Sequence, residues 1–130
     1  MKVIIYADGV SRGNPGPAAI GATLKDETGR LLASISQAIS KTTNNQAEYR
    51  ALITALKRAT QLGATEAGIY LDSELVVKQL TGSYRVKNAA LKPLCSEARR
   101  LLSKLSGFTI THVPRRHNSE ADKLANAALD

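Results

Sequence analysis

The chain has 130 residues, of which 43% are hydrophobic and 22% are charged. This length suits one domain with a buried core, and the composition argues against a disordered or a membrane protein. The formal charge of +7 favours an anionic partner, and nucleic acid is the commonest such partner for a small domain. No apolar run reaches the length of a signal peptide core or a membrane span. We therefore expect a single domain over residues 1–130, located in the cytoplasm and without a membrane partner.

Three strands are predicted at the start of the chain. Residues 2–7 form a short apolar run that ends at Asp8-Gly9, where a turn is expected. Residues 19–26 and 30–39 have the pattern of two further strands, and Glu27-Thr28-Gly29 suits the hairpin between them. A meander of three antiparallel strands is the simplest arrangement.

Helical and strand patterns then alternate. Apolar residues recur at steps of three and four from Ala47 to Ala59, and Thr43 with Gln46 predicts a capping box where this helix begins. Residues 67–71 predict a buried strand, and the next residue opens a short helix. This alternation indicates a parallel βαβ unit.

The last third of the chain adds a helix, a strand and a terminal helix. Pro93 lies in the first turn of the second long helix, where a missing N–H costs little. Cys95 falls on the apolar pattern of this helix, which predicts a small buried thiol. Residues 108–113 predict the fifth strand, residues 114–118 a basic loop and residues 119–129 the last helix. The prediction is an α/β domain with five strands and about four helices.

Four carboxylates fall at corresponding places in these elements. Asp8 and Asp72 follow predicted strands, whereas Glu48 and Asp122 lie in the first turns of predicted helices. Because ligands of open α/β sheets bind beyond the carboxyl ends of the strands, the four side chains are candidates for one site. Oxygen ligands without a nearby cysteine suit Mg²⁺ or Mn²⁺ rather than zinc. A pair of such ions can activate water on one side of a phosphodiester and stabilise the leaving oxygen on the other.

Three of these carboxylates also have structural explanations. Asp8 precedes a glycine and can form a turn, Asp72 can cap the helix after it, and Asp122 can complete a capping box with Ser119. Glu48 differs, because its spacing from the apolar residues of its helix places it on the inward face. A carboxylate there is costly unless a cation or a hydrogen-bond donor meets it.

Four motifs resemble type 1 ribonuclease H in order and spacing, and together they span nearly the whole chain. They are Asp8-Gly9-Val10-Ser11-Arg12-Gly13-Asn14-Pro15-Gly16-Pro17, Thr43-Asn44-Asn45-Gln46-Ala47-Glu48, Tyr70-Leu71-Asp72-Ser73 and Asn118-Ser119-Glu120-Ala121-Asp122. The resemblance implies a ribonuclease H-like fold: a five-stranded mixed sheet, three antiparallel strands then two parallel, flanked by about four helices. It also implies an endoribonuclease that hydrolyses the RNA strand of RNA·DNA hybrids and leaves 5′-phosphate and 3′-hydroxyl ends.

The resemblance also implies a role for each matching position. The four carboxylates match the catalytic metal ligands, which hold two Mg²⁺ or Mn²⁺ ions once substrate is bound. Asn14, Asn44 and Asn45 match residues near the minor groove, where the family senses the RNA 2′-hydroxyl. Thr43 and Asn88 match a pocket for a DNA-strand phosphate. Capping and turn formation are the alternative role for Thr43 and the asparagines. We expect the protein to be a monomer.

The chain departs from the family pattern in two places. Many members carry a mobile histidine on a longer loop before the last aspartate, where its role is to help proton transfer or product release. Here His117 lies only five residues before Asp122. His117 can take that role, Arg116 can replace it electrostatically, or the role is absent and His117 is an exposed bystander. Some relatives also insert a basic helix, for which residues 82–87 leave no room.

Three other interpretations stay open on the sequence alone. Another nuclease of the same superfamily would share the acidic metal site, although the segment from Thr43 to Glu48 argues against it. A catalytically silent binding module for hybrids or double-stranded RNA would gain nothing from an acidic cleft. A basic structural domain whose carboxylates are all helix caps would not explain an inward-facing Glu48.

Overall fold

A five-stranded mixed sheet forms the centre of the protein in the computed structural model, which describes residues 1–130. The strands are β1 (Lys2–Ser11), β2 (Gly16–Lys25), β3 (Leu31–Thr42), β4 (Glu66–Leu71) and β5 (Gly107–His112). They lie in the order β3-β2-β1-β4-β5. Strands β1, β2 and β3 pair antiparallel, whereas β4 pairs parallel with β1 and β5 parallel with β4. The predicted fold class is confirmed.

Four α-helices cover the sheet. They are α1 (Asn44–Gln61), α2 (Glu74–Leu80), α3 (Lys92–Leu102) and α4 (Ser119–Ala127), and a short 3-10 helix (Arg115–Asn118) precedes α4. Two glycines show that α1 and α4 pack on opposite faces. A Cβ on Gly9 would lie 2.1 Å from the backbone of Ala47 in α1, and one on Gly21 would lie 2.2 Å from Ala121 in α4. Gly21 pairs with Asp8 across the sheet, so it faces away from Gly9. No helix has both the length and the apolar character that crossing a membrane requires.

The main core lies between the sheet and α1. Val3, Ile5 and Ala7 of β1 lie on the face toward α1 and are fully buried, because alternate residues of a strand share one face. They pack in one cluster with the apolar stripe of α1 and with Leu101 of α3. Cys95 is also buried and free, as the sequence predicts.

The predicted turn at Asp8-Gly9 is wrong. Strand β1 continues through both residues to Ser11, because β2 pairs with it as far as Ser11 and Ala18. The parallel partner β4 stops earlier, at the pair Ala7 and Leu71. Asp8 therefore lies where β1 loses its neighbour on one side, which opens space beside its carboxylate.

The structural explanations for Asp72 and Asp122 are also wrong. Ser73, not Asp72, caps α2, since its side chain accepts a hydrogen bond from the N–H of Val76. Helix α4 begins at Ser119 without any side-chain cap. By contrast, the predicted capping box of α1 is present, with Thr43 and Gln46 bonding each other's backbone.

Candidate functional site

Three carboxylates from three elements meet at one end of the sheet. Asp8 comes from β1, Glu48 from α1, and Asp72 follows the end of β4. One oxygen atom of each lies within 4.8 Å of the others. Asp8 and Glu48 are only 4% and 5% exposed, so water screens their charges poorly. The convergence expected for these three residues is therefore observed.

Close contact between β1 and α1 positions Glu48. Its side chain lies in the second turn of the helix, one turn later than predicted, and faces the sheet. Oε1 accepts a hydrogen bond of 2.9 Å from the backbone N–H of Gly9. This approach requires glycine at position 9, because any Cβ there would overlap the backbone of Ala47.

The raised pKa values of the three carboxylic acids indicate that nearby positive charge does not balance them. Burial and the neighbouring Glu48 raise the pKa of Asp8 far above its ordinary value. Burial raises the pKa of Glu48 to about 7 and also raises the pKa of Asp72. Three acidic groups would not be held together this way for stability alone. A cation of hard character fits this donor set, which contains only carboxylate oxygens.

Asp122 lies at the edge of the same cleft, whose volume is about 250 Å³. It extends from the first turn of α4, and its Oδ1 accepts a hydrogen bond of 3.3 Å from Asn126 Nδ2. Arg115 approaches it from the 3-10 helix, with 3.6 Å between Nη2 and Oδ1. Asn44 lines the cleft as well. The cleft thus holds all four predicted carboxylates and one cation.

A second hollow holds most of the predicted substrate-binding residues. It has a volume of about 170 Å³, and Asn14, Thr43, Asn45 and Asn88 line it. Asn14 Oδ1 accepts a hydrogen bond of 3.1 Å from the backbone N–H of Asn44. Asn44 also lines the carboxylate cleft. The two hollows therefore meet where α1 begins.

Comparison with known proteins gives consistent matches along the chain. The family described as Reverse transcriptase-like matches residues 6–128. A ribonuclease HI of Halobacterium salinarum is 47% identical over 129 residues, which are 99% of this chain and 65% of that protein. Its crystal structure, titled ribonuclease H1, superposes with a TM-score of 0.98 and covers 100% of this chain and 98% of that one. The chain belongs to the ribonuclease H family.

Two further relatives extend the comparison within the ribonuclease H family. The N-terminal ribonuclease H domain of a Mycobacterium tuberculosis protein is 48% identical with a TM-score of 0.96, and each chain is covered completely. The whole mycobacterial protein is longer, so that the match spans 36% of it. The LC11 ribonuclease H1, solved in complex with an RNA/DNA hybrid, is 41% identical with a TM-score of 0.93 and covers 98% of this chain and 96% of that one. The chain thus spans between about a third and two thirds of the length of the first curated relatives.

Two candidate residues of this ribonuclease H chain lie outside the carboxylate cleft. His117 is exposed and lines a separate hollow with Tyr6 and Lys25. Arg116 is exposed and lines none of the hollows. The 3-10 helix turns Arg115 toward the cleft instead, and sequence spacing could not show this because the segment was expected to be a loop.

Sequence reasoning also left Asn118 without a role. This side chain is 1% exposed, and its Nδ2 donates to the carbonyl of Ala7 at 2.9 Å. The only signal in the sequence was its place in the last motif, four residues before Asp122.

Proposed function

We propose that this protein is an endoribonuclease that hydrolyses the RNA strand of RNA·DNA hybrids and leaves 5′-phosphate and 3′-hydroxyl ends. The observation that carries the proposal is the buried cluster of Asp8, Glu48 and Asp72, with oxygens within 4.8 Å of one another. Membership of the ribonuclease H family supports the same reaction. In a protein that only binds polyanions, negative charge in the cleft would weaken the binding.

The proposed cofactor is a pair of Mg²⁺ or Mn²⁺ ions, held by the four carboxylates Asp8, Glu48, Asp72 and Asp122. All four offer hard oxygen ligands, and no cysteine or histidine lines the cleft. When bound, two such ions supply an activated water and stabilise the leaving oxygen of a phosphodiester. The protein's part is to hold its ligands in place, which the hydrogen bond from Gly9 to Glu48 and the packing of β1 on α1 achieve.

Arg115 is proposed to contact the scissile phosphate. It is the only cation in the cleft, and its side chain is 79% exposed and therefore free to reach a ligand. A guanidinium matches phosphate oxygens in a bidentate geometry. We assign it the electrostatic role for which the sequence suggested Arg116. Arg116 and His117 stay weaker candidates, because neither lines the carboxylate cleft.

The second hollow is proposed to recognise the hybrid. Asn14, Asn44 and Asn45 are placed to sense the RNA 2′-hydroxyl, the group that distinguishes RNA from DNA. Thr43 and Asn88 are proposed to hold a phosphate of the DNA strand at the start of α1, where the positive end of the helix dipole favours an anion. The hybrid-bound structure of LC11 ribonuclease H1 supports this choice of substrate.

Three broader features belong to the same proposal. Residues 1–130 form a single ribonuclease H domain, the protein acts as a monomer, and it works in the cytoplasm. Its one cysteine is buried and unpaired, which suits a reducing compartment.

A panel of labelled substrates tests the function. The RNA·DNA hybrid should be cut with Mg²⁺ or Mn²⁺, whereas single-stranded RNA, double-stranded RNA and DNA should remain intact. Product ends should carry a 5′-phosphate and a 3′-hydroxyl. Tight hybrid binding with no cutting under either metal would contradict the proposed enzymatic activity and would indicate a binding module. Cutting of DNA duplexes would indicate another nuclease of the superfamily.

A further inference from the structure

Asn118 joins the strand that carries Asp8 to the helix that carries Asp122. It is the most deeply buried polar side chain of the protein, 1% exposed. Its Nδ2 donates to the carbonyl oxygen of Ala7, the residue before Asp8, across 111 positions of sequence. Helix α4 begins directly after it and presents Asp122 in its first turn. One amide therefore fixes two of the ligand-bearing elements relative to each other.

The same amide lies beside the third element. Ala7, whose carbonyl accepts the hydrogen bond from Asn118, pairs with Leu71 of β4, the residue directly before Asp72. Asp72 follows β4, and β4 pairs with β1 only as far as Ala7. The amide therefore lies at the point where β1 and β4 separate and no longer form backbone hydrogen bonds with each other.

The oxygen of this amide has no partner. Asn118 Oδ1 is buried and accepts no hydrogen bond. Such unpaired groups are rare in proteins because desolvation is not repaid. An apolar side chain of similar size would avoid this penalty, so stability alone does not explain an asparagine here. Its N–H donors do explain it.

We propose that Asn118 is a positioning residue, which holds Ala7 and the start of α4, and with them Asp8 and Asp122, at the spacing that divalent metal binding requires. It does not touch the substrate or the metal in this proposal. Side chains that orient metal ligands typically contribute 10- to 100-fold to metal affinity. The inference rests on the proposed function for its choice of metal, but it concerns binding in the absence of substrate.

Mn²⁺ binding to the substrate-free protein, measured by calorimetry, tests the proposal. Asn118→Ala should weaken Mn²⁺ binding by about tenfold or more. The matched control is Ser119→Ala, which changes the exposed next residue, the first of α4, and should stay within about twofold of wild type. In cleavage assays, excess Mn²⁺ should restore most of the kcat of Asn118→Ala, and KM for the hybrid should change little.

A second variant covers a failure to fold. Asn118→Ser keeps a residue that caps helices well but is too short to span both partners, so the same loss of Mn²⁺ affinity is expected. A folded Asn118 variant that binds Mn²⁺ within about twofold of wild type would overturn the proposal, even if its unfolding temperature fell. Wild-type protein that binds Mn²⁺ but cuts no hybrid would refute the proposed function and leave the effect of Asn118 measurable.

Discussion

Arg115 is the counter-charge of the carboxylate cleft. Its guanidinium lies 3.6 Å from Asp122, and its charge lowers the pKa values of Glu48 and Asp72 against the larger effect of burial. Since its side chain is 79% exposed, this ion pair adds little to folding stability. We expect the charge of Arg115 to have its main effect in the bound state, where the phosphate and metal ions exclude water.

Substitution of Arg115 should impair cleavage. Arg115→Ala is expected to lower kcat/KM on hybrid substrate by roughly tenfold or more, the size of one lost hydrogen bond to a charged group. Arg116→Ala is the matched control, because it removes the same charge from the adjacent exposed position. Steady-state kinetics of both variants decides between them. A larger loss of kcat/KM for Arg116→Ala would show that Arg116, and not Arg115, contacts the phosphate.

The raised pKa of Glu48 predicts how stability depends on pH without metal. Its pKa rises from 4.5 to about 7 on folding, because burial disfavours the charged form. The folded protein therefore binds more protons than the unfolded chain in this range, so the free energy of unfolding should fall as the pH rises through it. Urea denaturation in EDTA at several pH values measures this slope.

Glu48→Gln provides the reference for that measurement, since it removes one titrating group and should make the slope less steep. Asp8 and Asp72, whose pKa values burial also raises, should keep part of the slope. Saturating Mg²⁺ should also restore stability at high pH, because it binds the ionised cluster. A wild-type protein that gains stability over the same pH range in EDTA would contradict the assignment.

At the scale of elements, the contact between β1 and α1 sets the geometry of the cleft. Gly9 lets the strand approach Ala47 closely enough for its N–H to reach Glu48. On the other side, Arg12 donates to Asp130 at 2.6 Å and to the carbonyl of Asn126 at 3.4 Å, which fastens the end of β1 to the end of α4. The strand that carries Asp8 is thus held by both helices.

Gly9→Ala should disrupt this contact. Its Cβ would lie 2.1 Å from the Ala47 carbonyl carbon, so the helix must move away. Overpacking of this kind costs about 1–3 kcal/mol, and the displaced Glu48 should abolish metal-dependent cleavage. Gly107→Ala is the control, because nothing lies within 4 Å of a Cβ at that position. Thermal denaturation and hybrid cleavage distinguish the two, and equal behaviour of both variants would refute the role of Gly9.

Periodicity and capping patterns predicted the elements, but not their contacts. The capping box at Thr43, the inward face of Glu48 and the buried Cys95 depend on local spacing, and all three are confirmed. The extension of β1 beyond Asp8 depends on pairing with β2, which the local sequence Asp-Gly conceals. Arg115 and Asn118 depend on a 3-10 helix that has no clear periodic signal.

At the scale of the whole molecule, the protein has a net charge of +7 although its cleft is acidic. One broad hollow is lined by Arg85, Lys92 and Arg99 and by no carboxylate. Arg100 is different, because it pairs with Glu97 at 2.6 Å. Basic residues that lack an acidic neighbour can release counterions from nucleic acid when they bind it.

Salt dependence should identify which cations contact the hybrid. The logarithm of hybrid affinity should fall linearly with the logarithm of salt concentration, and Arg85→Ala should reduce the slope by about one. Arg100→Ala should leave the slope unchanged, since its charge is already paired. Fluorescence anisotropy with Asp8→Asn protein, which is expected not to cut, provides the measurement. Equal slopes for Asp8→Asn protein with and without Arg85→Ala would exclude Arg85 from the interface.

The four motifs identified the family because together they span 115 positions, from Asp8 to Asp122. The fold brings their carboxylates to one end of the sheet, as expected for strands that end at the same edge. The placement of Asn14 with Thr43, Asn45 and Asn88 in one hollow also agrees with the resemblance, but only the three-dimensional structure shows that this hollow adjoins the cleft.

Single-turnover cleavage of an RNA·DNA hybrid by wild type and Asp8→Asn, as a function of Mg²⁺ concentration, measures metal-dependent hydrolysis at the carboxylate cluster. Asp8→Asn keeps the size of the side chain and removes the charge that a metal ion requires. We expect wild type to cut only when Mg²⁺ is present, and Asp8→Asn to bind the hybrid as tightly but cut it at least about a thousandfold more slowly, a difference of about 4 kcal/mol in activation free energy. Cleavage by wild type in EDTA, or a rate for Asp8→Asn within about tenfold of wild type, would contradict metal-dependent hydrolysis at this carboxylate cluster.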